Sequence, residues 1–253
     1  MTSASVDDDR RGELDAALTA VRARIERACA DAGRDQADIT LVVVTKTFPA
    51  SDVEHLAALG VTDVGENRDQ EAAAKHASVS GAGLRWHHVG QLQTNKARSV
   101  CRYADVVHSV DRPQLVQALQ RGADAAGRQL DALIQVDLAV EPPTPAAPGR
   151  DQSGPGAPGR GGARPADVPA LAEQVAASSG LRLRGVMAVA PLAGEPSEAF
   201  DRLREVSTTL RNDHPEAVWV SAGMSGDLEQ AIAAGATHLR VGSAILGQRP
   251  RLQ

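Results

Sequence analysis

The feature that most constrains the fold is a regular alternation of short apolar strands and helical segments along the chain. After one helix predicted over 12–32, the sequence predicts strands at 39–45, 61–64, 84–89, 105–109, 130–138, 182–189, 217–221 and 236–241. Between and after them it predicts helices at 51–59, 67–78, 91–101, 113–126, 166–178, 196–211 and 226–234, then a closing helical turn. Such alternation gives right-handed βαβ units and a parallel sheet. Eight units predict an α/β protein with a closed (β/α)8 TIM barrel, and a doubly wound open sheet is the alternative.

Two segments interrupt this pattern. Residues 1–11 have no apolar periodicity and predict a disordered tail. Residues 141–165 contain seven prolines and six glycines among 25 residues, with almost nothing apolar larger than alanine. A segment of this composition cannot bury enough apolar surface to order itself, so we expect a disordered insertion. A linker between two domains is the competing interpretation, but the alternation resumes unchanged, which favours a single domain over 12–250.

Composition excludes several classes of function. A net charge of −5, a pI near 5.8 and only five aromatic residues argue against a nucleic-acid partner. The acidic amino terminus is unlike a secretory signal, and no stretch has about 18 apolar residues, so we expect no membrane partner. Cys29 and Cys101 are too few for a disulfide framework or a zinc site, and we expect no metal. The prediction is a cytoplasmic protein and a monomer.

In a barrel of this kind, functional residues stand where strands end. Lys46 follows the most apolar strand, where desolvation would lower its pKa and make its amine nucleophilic. The alternative is a lysine that extends into solvent at the rim. The ends of strands 7 and 8 carry small residues, Gly223-Met224-Ser225 and Gly242-Ser243, whose backbone N–H groups favour a phosphate. Simple helix capping by the two serines is the alternative there.

A nucleophilic lysine near a phosphate site predicts a phosphorylated aldehyde that is held covalently. Pyridoxal phosphate (PLP) fits this description, and so does the substrate of a sugar-phosphate aldolase, for which Glu66 is the nearest proton-transfer group. Arg240 helps to discriminate, because an arginine against a pyridine nitrogen would keep that nitrogen unprotonated. The alternative for Arg240 is a pair with a nearby carboxylate. The adjacent His87 and His88 should point to opposite faces of their strand.

Several motifs resemble those of the pyridoxal phosphate homeostasis protein family, also called YggS-like or PROSC-like. They are Thr45-Lys46, Gly65-Glu66-Asn67, the run from Trp86 to Lys96, Gly223-Met224-Ser225-Gly226-Asp227, and the run from Arg240 to Gly247. The similarity covers about residues 12–250 and is interrupted only by the insertion. This sequence departs from the family at His88, where a bulky apolar residue is usual.

The resemblance implies a barrel like the N-terminal domain of alanine racemase, with PLP held as an internal aldimine on Lys46. It implies cofactor-binding positions at Lys46, Asn67, His87, Met187, Ser221, Gly223, Met224, Ser225, Arg240, Gly242 and Ser243. The function it implies is PLP homeostasis, with apo-PLP enzymes as recipients of the cofactor and no catalytic turnover. The alternative is an amino-acid racemase. Racemisation needs a second acid/base, which alanine racemases take from another domain, and here the only tyrosine, Tyr103, precedes strand 4.

Overall fold

Eight parallel strands form a closed barrel in the computed structural model, which describes residues 3–79, 83–139, 161–191 and 194–248. Each strand pairs with its neighbours in chain order, and the last strand pairs with the first. The barrel prediction is therefore confirmed, and the open sheet is excluded. The strands are β1 Thr40–Val44, β2 Asp63–Glu66, β3 Arg85–His88, β4 Val106–Val110, β5 Leu130–Gln135, β6 Leu181–Met187, β7 Trp219–Ser221 and β8 His238–Val241.

Helices cover the outside of the barrel. They are α1 Ser3–Asp31, α2 Ala50–Ala58, α3 Asp69–Ser78, α4 Ala97–Val100, α5 Pro113–Ala126, α6 Val168–Ala176, α7 Pro196–Asp213, α8 Leu228–Ala233 and α9 Ser243–Leu246. Their apolar faces pack on the strands and form the main core, as Leu115 and Leu119 of α5 do. Among these helices none has the length and apolar character needed to span a bilayer.

The first helix begins earlier than the sequence predicted. Its apolar stripe, from Leu14 to Cys29, is buried as expected. However, α1 begins at Ser3, so residues 3–11 do not form the tail predicted for 1–11. Arg10 explains the difference, because its guanidinium donates to the buried Asp52 carboxylate at 2.7 Å and to the Leu246 carbonyl at 3.1 Å. A polar stretch with no apolar periodicity is thus held by an ion pair to α2 and a hydrogen bond to the last residue of α9.

The segment after β3 also differs from prediction. Instead of a helix over 91–101, the chain runs extended to Gln93, forms a 3-10 turn at Thr94–Lys96 and enters α4 only at Ala97. The Arg112 guanidinium fixes the extended part by donating to the Leu92 carbonyl at 2.9 Å.

Most of the predicted insertion, residues 141–160, lies outside the described residues. Its last residues, 161–165, differ from the prediction because they pair with the barrel. The Ala163 N–H donates to the Gln135 carbonyl, and the Asp137 N–H donates to the Ala163 carbonyl. Backbone hydrogen bonds need no apolar side chains, so composition alone did not reveal this order.

The amino end of the barrel is closed by ion pairs. The buried Asp131 carboxylate accepts from Arg85, Arg182 and Arg184, each at 2.9 Å. Arg85 and Arg184 also lie over the Trp219 ring, at 5.3 and 5.0 Å from its centroid. Charged groups and an aromatic ring therefore fill this end of the interior, which leaves the carboxyl ends of the strands for a ligand.

Candidate functional site

Four consecutive strand ends bring most of the predicted site residues to one side of the barrel. In the closed order, β7, β8, β1 and β2 are neighbours, so the segments that follow them are also neighbours. These segments carry Ser225, Ser243, Lys46 and Asn67, in that order. Gly242 makes the approach between β8 and β1 possible, because a Cβ there would lie 3.0 Å from the Val44 carbonyl oxygen. Lys46 follows that carbonyl by two residues.

The two serines predicted to hold a phosphate lie in contact. The Ser243 hydroxyl donates to Ser225 Oγ at 3.2 Å, and the Ala244 N–H donates to the same oxygen at 3.3 Å. Ser225 thus contacts the first turn of α9 from the neighbouring loop, whereas the N-cap residues of α8 and α9 are Asp227 and Gly242, neither with a side-chain capping bond, so simple capping by the two serines is not observed. Met224 donates its N–H to Asp227 Oδ1 at 2.6 Å, which fixes the loop before α8. Gly223 adopts a positive φ of 88° and packs tightly on Ala231.

Arg240 lies in the barrel wall between these loops and the interior. It is 6% exposed, and its guanidinium donates to the Ser221 hydroxyl at 2.6 Å and to the Ala188 carbonyl at 2.8 Å. Among the described residues it forms no salt bridge, in contrast to the alternative expectation that Arg240 pairs with a nearby carboxylate. Burial lowers the pKa of Arg240 to about 10, so it stays a cation at neutral pH. Met187 packs deeper in the barrel, against Val106 and Leu133.

Lys46 is half-buried. The backbone on both sides of it takes part in a network that we call the outer ion cluster, which consists of Thr45, Glu66, Glu71 and Lys75. Lys75 Nζ donates to the Thr45 carbonyl at 2.8 Å, to Glu66 at 2.7 Å and to Glu71 at 2.9 Å. The Thr45 hydroxyl also donates to Glu66, and the Thr47 N–H donates to Glu71. Thr47 has a φ of 71°, which is uncommon for a β-branched residue.

The pKa values of the two carboxylates in the outer ion cluster shift in opposite directions. Burial raises the pKa of Glu66 in spite of the hydrogen bonds from Lys75 and Thr45. Burial also acts on Glu71, but there Lys75 and the Thr47 N–H prevail and lower its pKa. Glu66 uses the same oxygen for Lys75 and Thr45, so it is engaged in holding the Lys46 segment. This engagement weakens its candidacy as the proton-transfer group of an aldolase.

The sequence analysis missed Lys75. The signal was available in part, because Lys75 follows Glu71 by four residues on a predicted helix, and Ala72 and Lys75 share its buried face. What the pattern could not show is that this face packs on the ends of β1 and β2.

A second buried network crosses the barrel interior, and we call it the inner chain: Asp63, His87, His108, Ser221 and Arg240. His87 Nε2 contacts Asp63 Oδ1 at 2.8 Å, and His87 Nδ1 contacts His108 Nε2 at 2.8 Å. His108 Nδ1 then contacts the Ser221 hydroxyl at 2.9 Å. Ser221 and His87 thus lie behind Arg240, inside the barrel. His108 and His238 were not among the predicted site residues, but both rings lie in this interior.

The adjacent histidines of β3 face opposite sides, as predicted. His87 points into the barrel, whereas His88 is buried outside it, and neither His88 ring nitrogen has a hydrogen-bond partner among the described residues. Burial lowers the pKa of His88 to about 4, although the nearby Asp69 and the Gln91 backbone oppose the shift. Despite these histidines, no group of three His, Cys, Asp or Glu side chains in the described ranges could hold a metal ion.

Asn67 follows β2 and lies over Gly90, at the end of the next strand. A Cβ at Gly90 would overlap the Asn67 amide oxygen, so glycine is required for the Asn67 side chain to lie there. The Gly65-Glu66-Asn67 and His87-His88-Val89-Gly90 motifs are thus joined by one close contact.

Comparison with known proteins agrees with this geometry. The family described as alanine racemase, N-terminal domain, matches residues 17–250. A pyridoxal phosphate homeostasis protein of Mycobacterium bovis is 42% identical, over 95% of both chains. The chain belongs to the pyridoxal phosphate homeostasis protein family. Its fold is also that of PipY from Synechococcus elongatus, solved with PLP bound (32% identity, 88% of this chain and 99% of that one, TM-score 0.70). Alanine racemase from Corynebacterium glutamicum shares the fold at 15% identity and a TM-score of 0.64, and the alignment covers 93% of this chain and 63% of that enzyme.

Proposed function

We propose that this protein binds PLP and acts in PLP homeostasis. The observation that carries the proposal is the contiguity of the strand ends: a lysine after β1 lies beside paired hydroxyls after β7 and β8, with a buried arginine next to them. The family supports the same conclusion, as does the PLP-bound structure of PipY. Lysine, hydroxyl and arginine side chains suit the aldehyde, phosphate and pyridine groups of this cofactor.

Each residue would have a distinct task. The phosphate would lie against Gly223, Met224, Ser225, Gly242 and Ser243, and Arg240 would face the pyridine nitrogen. Asn67 would line the pocket beside β2. His87, Met187 and Ser221 are buried inside the barrel, so we assign them to the support of the pocket rather than to its surface. The predicted single domain over 12–250 suits this arrangement, because all eight strands contribute to one barrel.

When bound, the cofactor would supply an aldehyde, and Lys46 would supply the primary amine that condenses with it with loss of water. The outer ion cluster fixes the backbone on both sides of Lys46 and so limits where the amine can lie. Arg240 cannot accept a proton from the pyridine nitrogen and, as a cation, disfavours its protonation. An unprotonated pyridine is a poor electron sink, so the protein's own charge distribution favours holding the cofactor over using it.

We therefore propose a carrier and not an enzyme. A racemase needs an acid/base opposite its lysine. The one tyrosine, Tyr103, is buried before β4 and packs against His76 of α3, outside the barrel. Delivery to apo-enzymes, a cytoplasmic location and a monomeric state belong to the same proposal. A racemase assay should give no turnover above free PLP, and robust turnover would contradict the carrier function.

The attachment site can be tested cleanly because the chain has only three lysines, Lys46, Lys75 and Lys96. We expect the PLP-loaded protein to show a visible absorption band that borohydride removes, and mass mapping should place the reduced cofactor on Lys46. Lys46→Ala should lose the band, whereas the matched Lys96→Ala should keep it. A cofactor mapped to Lys75 or Lys96 in the wild-type protein would refute the assignment.

A further inference from the structure

The inner chain runs without interruption across the barrel interior, from β2 to β8. Asp63 is the first residue of β2, and Arg240 lies near the end of β8. Between them stand His87 of β3, His108 of β4 and Ser221 of β7, joined by contacts of 2.6 to 2.9 Å. All five residues are buried, with at most 6% of the residue exposed, so water does not compete for these contacts.

The chemistry of the two ends gives every hydrogen bond in the inner chain one direction. The Asp63 carboxylate can only accept, and burial lowers the pKa of both His87 and His108, which keeps the imidazoles neutral. A neutral His87 then donates from Nε2 to Asp63 and accepts at Nδ1 from His108 Nε2. His108 Nδ1 therefore accepts from the Ser221 hydroxyl, whose oxygen accepts from the Arg240 guanidinium. Both imidazoles share the Nε2–H tautomer.

We propose that Asp63 and His108 are positioning residues for Arg240. They hold the Ser221 hydroxyl with its lone pairs toward the guanidinium, and so fix the face that Arg240 presents at the carboxyl end of the barrel. The negative end of the inner chain also balances the buried cation from the opposite side of the interior. The proposal rests on the proposed function, in which Arg240 faces the pyridine nitrogen of PLP.

The surroundings of the inner chain favour the same protonation states. The charged and titratable groups that face the two histidines are Arg85, Asp105, His88, His238 and Arg240. Burial lowers the pKa of both His87 and His108, and for His108 the neighbouring imidazoles and Arg240 add to the effect. Asp63 is also affected by burial, but the hydrogen bonds from His87 and Thr62 prevail and lower its pKa.

The first experiment needs no cofactor. In ¹⁵N-labelled wild-type protein, long-range proton–nitrogen correlation spectra should show His87 and His108 as neutral Nε2–H tautomers throughout pH 6–8. A Nδ1–H tautomer at either residue, or a titration of either in that range, would overturn the directed chain, whether or not the protein binds PLP.

The second experiment tests positioning. We expect His108→Phe and Asp63→Ala to raise the dissociation constant for PLP by about 10-fold, as second-shell changes commonly do. Asp63→Asn keeps an acceptor for His87 and should recover part of the loss. In the His108→Phe complex, the ¹⁵N signal of labelled PLP should shift toward that of a protonated pyridine. Ser109→Ala is the matched control, because this buried neighbour of His108 has no hydrogen-bond partner among the described residues.

The outcomes separate the two proposals. If the wild-type protein does not bind PLP, the proposed function fails, while the tautomers of the inner chain are still decided by the first experiment. If the wild-type protein binds PLP and His108→Phe shows the same affinity and the same pyridine signal, positioning is refuted. If His108→Phe does not fold, the difference between Asp63→Ala and Asp63→Asn decides instead, and equal pyridine signals in both variants and the wild type would refute the proposal.

Discussion

The outer ion cluster and the inner chain both support a proposed cofactor contact, but they are built in opposite ways. The outer ion cluster holds the Lys46 segment with an ammonium between two carboxylates. The inner chain holds Arg240 with neutral imidazoles and a hydroxyl, and its charges stand only at the two ends. The comparison teaches that one barrel can support two neighbouring contacts of a common site without bringing carboxylates into that site. The carboxylates of the outer ion cluster are engaged by Lys75, and the Asp63 carboxylate lies at the other end of the inner chain from Arg240.

The largest difference between the two networks should appear in acid. Burial lowers the pKa of His238, beside the inner chain, to about 3, and also lowers the pKa of His87 and His108. Because the unfolded chain titrates near 6.5, it binds more protons than the folded chain below that pH, and stability falls as the pH falls. Each such histidine contributes up to about 1.4 kcal/mol per pH unit. Glu66 has a raised pKa, so its contribution to stability has the opposite pH dependence: it grows as the pH falls, and this change ends at the unfolded pKa of 4.5.

We therefore expect the free energy of unfolding to drop by several kcal/mol between pH 6.5 and pH 4.5, which is a large fraction of the usual total. Urea unfolding at a series of pH values measures this directly. A flat profile over that range would show that the interior histidines are not held neutral. The slope should decrease in His238→Phe, which keeps a ring against Trp219 but cannot be protonated.

The next effect concerns the outer ion cluster. Lys75→Met leaves Glu66 buried with no cation, and breaking a buried pair in this way costs about 3–5 kcal/mol. We expect the urea midpoint at pH 7 to fall accordingly, while Lys96→Met, outside the cluster, should change it little. The double variant Glu66→Gln, Lys75→Met should recover part of the loss. A loss below about 1 kcal/mol in Lys75→Met would mean that the cluster is solvated.

Neither network was predicted as a whole, but the sequence reveals more of the outer ion cluster than of the inner chain, for a physical reason. The eight strands, the carboxyl-end rim and Lys46 all follow from local periodicity and from a fold-level rule. The outer ion cluster lies within 45–75, so its Glu71 and Lys75 spacing was at least visible. The inner chain joins five strands, and a histidine such as His108 looks like any other until the barrel closes. Ser221 was predicted as a cofactor-binding position for the same reason: its place at the end of β7 was visible in the sequence, but its contact with His108 and Arg240 was not.

The smallest effect comes from the two adjacent histidines of β3, one of which belongs to the inner chain while the other faces outward. His88 is buried outside the barrel without a described partner for either nitrogen, and leaving a buried polar group unsatisfied costs about 1–3 kcal/mol. His88→Leu, which replaces the imidazole with an apolar side chain, should therefore raise the free energy of unfolding at pH 7 by about 1 kcal/mol.

His87→Leu is the matched control, because it makes the same change one residue away. It removes a side chain that bonds both Asp63 and His108, so two buried groups lose their partner and stability should fall. Chemical denaturation of both variants measures whether each substitution raises or lowers the free energy of unfolding. Since β-strand geometry sends the two side chains to opposite faces, opposite signs are what the structure requires. If both variants were destabilised equally, the imidazole of His88 would have to make a bond that the described contacts do not contain, and the contrast between the faces of β3 would fail.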